Sequence, residues 1–182
     1  RFYQPVAVFA IEKEGIIEFT AVNDAIESVD LKVNISISDL KGNLKPVASV
    51  NQLITKDTHH KIYELSTTKL ASNEVLIYEF EASNGLTGIE HFNGEPYKSL
   101  DLENSQINMQ ANIVDAQIII ELSSQALAFY VTLECDEPVK FSDNVLMLQP
   151  GKAQTIILDI ESDKLESALN SLTVRDLYSC SL

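Results

Sequence analysis

The chain has 182 residues, 45% of them hydrophobic, and this composition excludes disordered and fibrous proteins. Lys and Arg total 13 against 27 Asp and Glu, so a net charge of −14 argues against nucleic-acid and anionic-membrane partners. No apolar run reaches the roughly 18 residues of a transmembrane helix, and the first residues lack a signal-peptide pattern.

Antiparallel strands dominate the first half of the chain. The stretch "VDLKVNISIS", residues 29–38, alternates apolar and polar side chains, as a strand with one buried face does. Gly42 and Asn43 follow it and can supply the positive φ of a hairpin turn. The other strands predicted in this half are residues 6–11, 16–22, 47–54, 61–65 and 75–81.

A polar stretch without periodicity, residues 93–106, precedes a second group of strands. The one helical pattern covers residues 162–170, where Ser162 can cap the start and Asn170 can end the helix. Turn signals between short strands predict an all-β fold of two tandem immunoglobulin-like antiparallel β-sandwiches, residues 1–102 and 103–182. The strands predicted in the second half are residues 107–113, 117–122, 126–135, 145–148, 154–159 and 172–178.

The histidines do not predict a metal site or a catalytic triad. His59 and His60 are adjacent, so in a strand their side chains point to opposite faces. His91 is distant from both in the sequence, and we expect all three histidines on the surface.

One acidic stretch resembles the start of a calcium loop. Asp159, Glu161 and Asp163 occupy alternating positions, but Lys164 stands where the loop needs Gly and Asn170 where it needs Glu. An EF-hand is therefore excluded, while a looser calcium site stays open. We assign no metal-binding or cofactor-binding residue.

Aromatic residues test for sugar binding, because a pyranose ring stacks on a flat exposed side chain. The chain has no Trp, 6 Tyr and 7 Phe. Phe92 and Tyr97 are the best exposed candidates. Four aromatics share strand phase with aliphatic residues and are predicted to lie in the core: Phe19, Tyr63, Phe80 and Phe129.

The two cysteines, Cys135 and Cys180, fit neither a zinc spacing nor a disulfide-rich scaffold. Cys135 is in phase with Val131 and Leu133, which predicts a small buried hydrophobic residue. Whether the two cysteines pair stays open, because the sequence does not show how closely their Cα atoms approach.

The stretch "FSDNVLMLQPGK", residues 141–152, places three oxygen-bearing side chains beside an apolar run. Ser142, Asp143 and Asn144 could hold a cation or a sugar hydroxyl, or form a turn. Asp and Asn readily bond to nearby backbone, so we predict a local turn, a short strand at 145–148 and a second turn at Pro150-Gly151.

Three stretches in sequence order resemble family 2 glycoside hydrolases of the β-mannosidase type. "RFYQPVAVF", residues 1–9, resembles the segment that leaves the catalytic barrel of that family. "AVNDAIESVDLKV", residues 21–33, is similar to the stretch before a long strand, and residues 141–152 resemble the last domain. Since the chain also begins with Arg1 instead of Met, we expect a C-terminal fragment containing the pair of β-sandwich domains.

The resemblance implies a parent enzyme that removes terminal β-linked mannose with two carboxylates about 5 Å apart on a (β/α)8 barrel. Asn73-Glu74 is the dipeptide that holds the acid/base in that family. Here it opens an apparent sandwich strand, so we expect Glu74 to be a solvated strand-start residue and assign no catalytic residue to this chain.

The resemblance also implies partners and location. We expect the sandwiches to pack on the barrel of the parent chain, with Arg1, Phe2 and Tyr3 at the contact and glycan contact only through the parent. By resemblance alone the parent would be periplasmic, secreted or lysosomal. The alternatives are an independent glycan- or protein-binding module, or the same region of another family 2 glycosidase such as a β-galactosidase.

Overall fold

The computed structural model describes residues 4–180, which form two compact units, residues 4–101 and residues 102–180. We refer to them as the N-terminal and C-terminal units. Each consists of two antiparallel sheets with a shared apolar core, so the all-β fold of tandem sandwiches predicted from the sequence is confirmed. Arg1, Phe2 and Tyr3, expected at a barrel contact, lie outside the described residues.

The N-terminal unit has seven strands in a three-stranded and a four-stranded sheet. The three-stranded sheet has the order β1-β2-β5 and the four-stranded sheet the order β4-β3-β6-β7. The strands are β1 (Val6–Lys13), β2 (Ile16–Asn23), β3 (Val29–Asp39), β4 (Leu44–Ile54), β5 (Thr58–Ser66), β6 (Glu74–Ala82) and β7 (Thr87–Asn93).

The core of the N-terminal unit lies between its two sheets. The ring of Phe19 is fully buried and meets Tyr78 edge-on, with ring centroids 5.4 Å apart. Tyr63 packs on the same ring at 5.9 Å, and Phe80 is buried nearby, so the predicted core aromatics of this unit are confirmed. The alternation of β3 is visible in its burial, since Val29, Leu31, Val33, Ile35 and Ile37 all face inward.

Strand β7 has no counterpart in the sequence prediction. All but the first of its residues are half-buried, so no apolar and polar alternation marks it. Gly88 also interrupts the pattern, and the structure explains its presence. A Cβ at position 88 would lie 2.3 Å from Cε1 of Phe80, so the ring occupies the space that a side chain would need.

The C-terminal unit has shorter strands and two short helices. One sheet has the order β11-β13-β9-β8 and the other the order β12-β10-β14. Its elements are β8 (Asn108–Val114), β9 (Gln117–Ser123), β10 (Ala128–Glu134), β11 (Lys140–Phe141), β12 (Leu146–Leu148), β13 (Gln154–Asp159), α1 (Leu165–Ser171), β14 (Thr173–Arg175) and α2 (Leu177–Cys180).

Helix α1 contributes Leu165 and Ala168 to the core of this unit. It follows a 3-10 turn at Ser162–Lys164, and Glu161 instead of the predicted Ser162 occupies the cap position before that turn. Phe129 is buried as predicted.

The strand predicted at residues 172–178 is wrong in its second half, where helix α2 replaces it. Asp176 accepts a hydrogen bond from the backbone N–H of Ser179 at 2.9 Å, and Ser179 Oγ accepts one from the N–H of Asp176 at 3.0 Å. Such a reciprocal pair satisfies donors at a helix start. Between residues 4 and 180, no helix has the length and apolar character needed to cross a membrane.

Candidate functional site

Two of the three oxygen-bearing residues at 142–144, Ser142 and Asn144, form hydrogen bonds with neighbouring strands. Ser142 donates its N–H to the carbonyl of Ile157 at 2.7 Å, and its Oγ accepts from the N–H of Ile157 at 2.9 Å. The amide of Asn144 donates to the carbonyl of Leu133 at 3.0 Å and accepts from the N–H of Leu133 at 2.9 Å. Ser142 thus pairs with β13 in one sheet and Asn144 with β10 in the other.

The local turn predicted for this stretch is therefore only part of its role. Asp143 Oδ1 accepts from the N–H of Asn144, and Asn144 Oδ1 accepts from the N–H of Val145, each at 2.9 Å. Val145 has a φ of 61° and is 60% exposed, so the strand starts at Leu146 and not at residue 145. The amide of Asn144 is occupied by the protein backbone and serves as a structural group.

In the N-terminal unit a second asparagine, Asn23, forms hydrogen bonds with backbone groups. The side chain of Asn23 is fully buried and donates to the carbonyls of Glu27 and Ile54 at 2.9 and 3.0 Å. Its Oδ1 accepts from the N–H of Ala25 at 3.0 Å. Asn23 belongs to the stretch 21–33 on which the family resemblance rests, so both internal stretches that carry the resemblance hold a structural asparagine.

Glu74 opens strand β6 at the predicted position, but it is half-buried instead of fully solvated. Its Oε2 accepts from the N–H of Ala71 at 2.9 Å and closes the turn before the strand. The neighbouring Asn73 exchanges two hydrogen bonds with Asp101, at 2.7 and 2.8 Å. Both residues of the dipeptide stabilise backbone geometry.

His91 is not on the surface as expected. Its Nε2 lies 2.6 Å from the hydroxyl of Tyr97, and burial lowers the pKa of the imidazole to about 4. His59 and His60 lie opposite Val22 and Ala21 on β2, so their side chains take opposite faces of the sheet as predicted.

Phe92 and Tyr97 do not form a platform for a sugar. Phe92 is half-buried against the core, and Tyr97 is half-buried beside His91, with ring centroids 6.1 Å apart. The segment 94–101 folds back on its own unit through these contacts and through the bonds between Asn73 and Asp101. The two aromatic residues that the sequence offers as the best exposed candidates therefore both pack within their own unit.

In the acidic stretch that resembles a calcium loop, residues 159–163, a lysine side chain pairs with one of the carboxylates. Glu161 lies 3.1 Å from Lys164, and this hydrogen bond raises the pKa of the lysine. Both residues line an open groove of about 690 Å³ together with Asp159 and Lys140. Within residues 4–180, no three His, Cys, Asp or Glu side chains are close enough to share a metal ion.

One pair of carboxylates does face each other, on the outer side of the β1-β2-β5 sheet. Glu18 and Glu64 are direct partners across β2 and β5. Lys13 lies 3.4 Å from Glu18, and Lys61 lies 2.6 Å from Glu64, which raises the pKa of Lys61. The pair stands on an open sheet with a cation beside each carboxylate and does not enclose a sugar ring.

The same sheet carries an exposed apolar surface that the sequence reading missed. Phe9, Ile11 and Ile16 are 51%, 53% and 37% exposed. They lie on adjacent rows, since Ile11 pairs with Glu18 and Lys13 with Ile16. We call these three residues the outer apolar face. The sequence contains a signal for this face. Residues 6–11 carry apolar side chains at both odd and even positions, and in a strand these positions lie on opposite faces of the sheet.

The cysteines are separate thiols. Cys135 is half-buried against the core and donates to the carbonyl of Glu137 at 3.4 Å, while Cys180 is exposed. The position of Cys135 agrees with a small apolar residue at the edge of the core.

Comparisons with known proteins agree with the family resemblance. Residues 102–180 match the Ig_mannosidase family, described as an Ig-fold domain. A β-D-mannosidase from Dictyoglomus thermophilum has the same fold over 95% of the chain, with a TM-score of 0.82 and 18% identity. An exo-chitosanase, CsxA, from Amycolatopsis orientalis matches 94% of the chain, with a TM-score of 0.69 and 15% identity.

These identities establish the fold alone. The chain spans 22% of the length of the mannosidase and 25% of the chitosanase. No curated protein sequence matches the chain. The resemblance to the β-sandwich region of β-mannosidase-like enzymes is confirmed.

Proposed function

Because residues 102–180 are an Ig-fold domain of the mannosidase type, we propose that the chain is the non-catalytic β-sandwich region of a β-mannosidase. Its function is to pack on a (β/α)8 catalytic barrel of the same polypeptide and to stabilise it. The observation that carries this proposal is the likeness of both sandwiches together to a β-D-mannosidase, at a TM-score of 0.82 over 95% of the chain.

The carboxylates of the chain support a non-catalytic role. A retaining glycosidase needs one protonated and one ionised carboxyl about 5 Å apart, around a bound sugar. Glu18 and Glu64 face each other, but each has a lysine beside it on an open sheet. Glu74 is committed to the turn at Ala71.

The outer apolar face is the surface on which the barrel would pack. Phe9 and Ile11 lie on β1, the strand nearest in sequence to Arg1, Phe2 and Tyr3, the residues that we expect at a barrel contact from the family resemblance. Covering the exposed halves of Phe9, Ile11 and Ile16 would contribute about 3 kcal/mol. An exposed apolar surface of this kind is typical of an interface between domains.

Mannose is the favoured sugar of the parent. The fold of the chain agrees better with the β-D-mannosidase than with the exo-chitosanase, with TM-scores of 0.82 and 0.69. The likeness to the chitosanase makes a glucosaminidase the second candidate parent. An independent glycan-binding module is less well supported, because Phe92 and Tyr97 pack within their own unit.

Sequencing the gene upstream of the Arg1 codon and expressing the longer product test the proposal. We expect a (β/α)8 domain upstream, hydrolysis of an aryl β-mannoside by the longer protein, and no hydrolysis by the 182-residue chain. An upstream region without a barrel, or enzymatic turnover by the chain alone, contradicts the proposal. Activity of the longer protein on an aryl β-glucosaminide alone identifies the second candidate.

The packing surface can be tested with a matched pair of variants. Phe9→Ser should lower the free energy of unfolding of the longer protein by about 1 kcal/mol and leave that of the 182-residue chain nearly unchanged. Ile26→Ser is the control, because Ile26 is 88% exposed and lies outside the outer apolar face. Equal effects of the two substitutions in the longer protein would contradict this surface.

A further inference from the structure

Strand β8 is the outermost strand of the β11-β13-β9-β8 sheet. It pairs along its whole length with β9, from Asn108 opposite Ser123 to Val114 opposite Gln117. Helix α1 packs beside these two strands through Leu165 and Ala168, which point into the core. Among the described residues, no strand pairs with the second edge of β8.

The sequence and pairing of this edge strand lack the features that normally prevent strands from pairing between molecules. Charged residues, proline and bulges protect exposed edges. The sequence of β8, "NMQANIV", contains no charge and no proline, and its pairing with β9 has no register shift. Strand β4 shows the contrast, because its edge has Lys45, Pro46 and a register shift beside them.

The strand is also complementary to itself. If two copies pair antiparallel with Ala111 opposite Ala111, Met109 faces Ile113 of the other copy and Gln110 faces Asn112. Met109 and Ile113 point to the core side, as their partners Leu122 and Ile118 on β9 do. Gln110 and Asn112 point outward and are exposed. In these central pairs apolar meets apolar and amide meets amide, while Asn108 faces Val114 at each end. Matched cross-strand pairs of this kind stabilise sheets.

We propose that β8 is a self-association surface, at which two copies of the chain join their sheets into one continuous antiparallel sheet. The net charge of −14 opposes the approach of two copies, and an edge strand without charged residues adds no like-charge pair between the joined strands. This proposal does not rest on the proposed function, because it concerns only the edge of the C-terminal unit.

Sedimentation of the 182-residue chain over a range of concentrations gives the first test. We expect a reversible dimer that strengthens as salt screens the net charge. Hydrogen exchange should show slower exchange in β8 at high concentration and no change in the edge strand β4. A chain that stays monomeric at every concentration and salt level overturns the proposal.

Two variants that differ at one position test the register. Gln110→Lys/Asn112→Lys places lysine opposite lysine twice and should weaken dimerisation at least about tenfold. Gln110→Lys/Asn112→Glu places lysine opposite glutamate twice and should dimerise as well as the natural chain or better. In both variants the lysine at 110 has the same neighbour, Glu121 on β9, so the folded monomer differs little between them. Equal dimerisation of the two variants overturns the register.

A disulfide trap tests the position of the two-fold axis. In a Cys135→Ser/Cys180→Ser background, Ala111→Cys should cross-link on mild oxidation, because cross-strand Cα atoms lie within disulfide range. Asn108→Cys is the control, since the two copies of position 108 would be about 20 Å apart in this register. Cross-linking at 108 and not at 111 overturns the register.

Measurements on the longer gene product test whether a second copy of the chain, and not another segment of the same protein, covers the free edge of β8. If β8 is protected from exchange in that product while it sediments as a monomer, another segment covers the edge and the proposal is wrong. Loss of activity or absence of a barrel in that product would instead bear on the proposed function alone.

Discussion

Asn23 in the N-terminal unit and Asn144 in the C-terminal unit each donate to and accept from the backbone through their side-chain amides, but the two asparagines act differently. Asn23 bonds to Glu27, Ile54 and Ala25 and fixes the loop after β2, while the strands of that unit pair through backbone ladders of 7 to 10 residue pairs. The side-chain amide of Asn144 bonds to the N–H and carbonyl of Leu133 on β10, as the backbone of a neighbouring strand would. In that sheet β10 pairs with β12 over only two residue pairs and with β14 over three. Where ladders are short, one side chain carries a larger share of the pairing.

The largest expected effect is that of Asn144→Ala. It leaves the N–H and carbonyl of Leu133 without their partner, so we expect the free energy of unfolding of the C-terminal unit to fall by about 3 kcal/mol. Asn23→Ala should cost about 2 kcal/mol, because the ladders around it stay paired. Urea unfolding followed by signals from each unit measures both changes.

The control for this comparison is Asn34→Ala. Asn34 is exposed and accepts one hydrogen bond, from Ser49 at 2.8 Å, so its removal should cost less than about 0.5 kcal/mol. If Asn23→Ala lowers the free energy of unfolding of its unit more than Asn144→Ala lowers that of the other, the number of paired residues in the surrounding strands does not determine how much such an asparagine contributes.

A second prediction concerns packing in the N-terminal unit. Gly88→Ala would place a methyl group against the Phe80 ring, so we expect a loss of about 2 kcal/mol from overpacking. The double variant Phe80→Leu/Gly88→Ala should recover part of that loss, because leucine lacks the ring atoms involved. If the double variant is as unstable as the sum of the two single variants, the ring is not the cause.

The smallest expected effect is the pH dependence contributed by His91. Its pKa is about 4 in the folded unit and about 6.5 when unfolded, so above pH 6.5 the ring is neutral in both states. Between these values only the unfolded state binds the proton, and stability falls as pH falls. The N-terminal unit should be about 1 kcal/mol less stable at pH 5.5 than at pH 7.5.

His91→Gln should remove that pH dependence, and the exposed His59→Gln should leave it in place. Thermal unfolding at the two pH values measures the difference. A pH dependence that survives His91→Gln would assign it to another group.

The alternation of apolar and polar residues along the sequence was enough to predict the fold class and most strands. One strand that it did not predict, β7, depends on contacts between residues that are distant in the sequence. The alternation in β3 follows from burial of one face, so it is visible in the sequence. Strand β7 is half-buried and contains Gly88, whose reason is the ring of Phe80 in the neighbouring strand. Such a contact depends on register, which the sequence of β7 alone does not contain.

The structural role of residues 142–144 was predictable only in part. The bonds of Asp143 and Asn144 to the next residue are local and follow from residue type. The bonds of Asn144 to Leu133 reach 11 residues back and exist only once β10 is placed. Helix α2, by contrast, has a local signal in Asp176 and Ser179 that the strand reading overlooked.

The crossing from β11 to β12 has a consequence for chain length. It carries the backbone from one layer of the sandwich to the other between Phe141 and Leu146, and sheets pack about 10 Å apart. Five Cα-to-Cα steps reach at most about 18 Å, and three reach about 10 Å. Deleting two residues here would stretch the chain fully and separate Ser142 and Asn144 from their strands. Length between Phe141 and Leu146 is therefore a topological constraint, and insertions should be tolerated there where deletions are not.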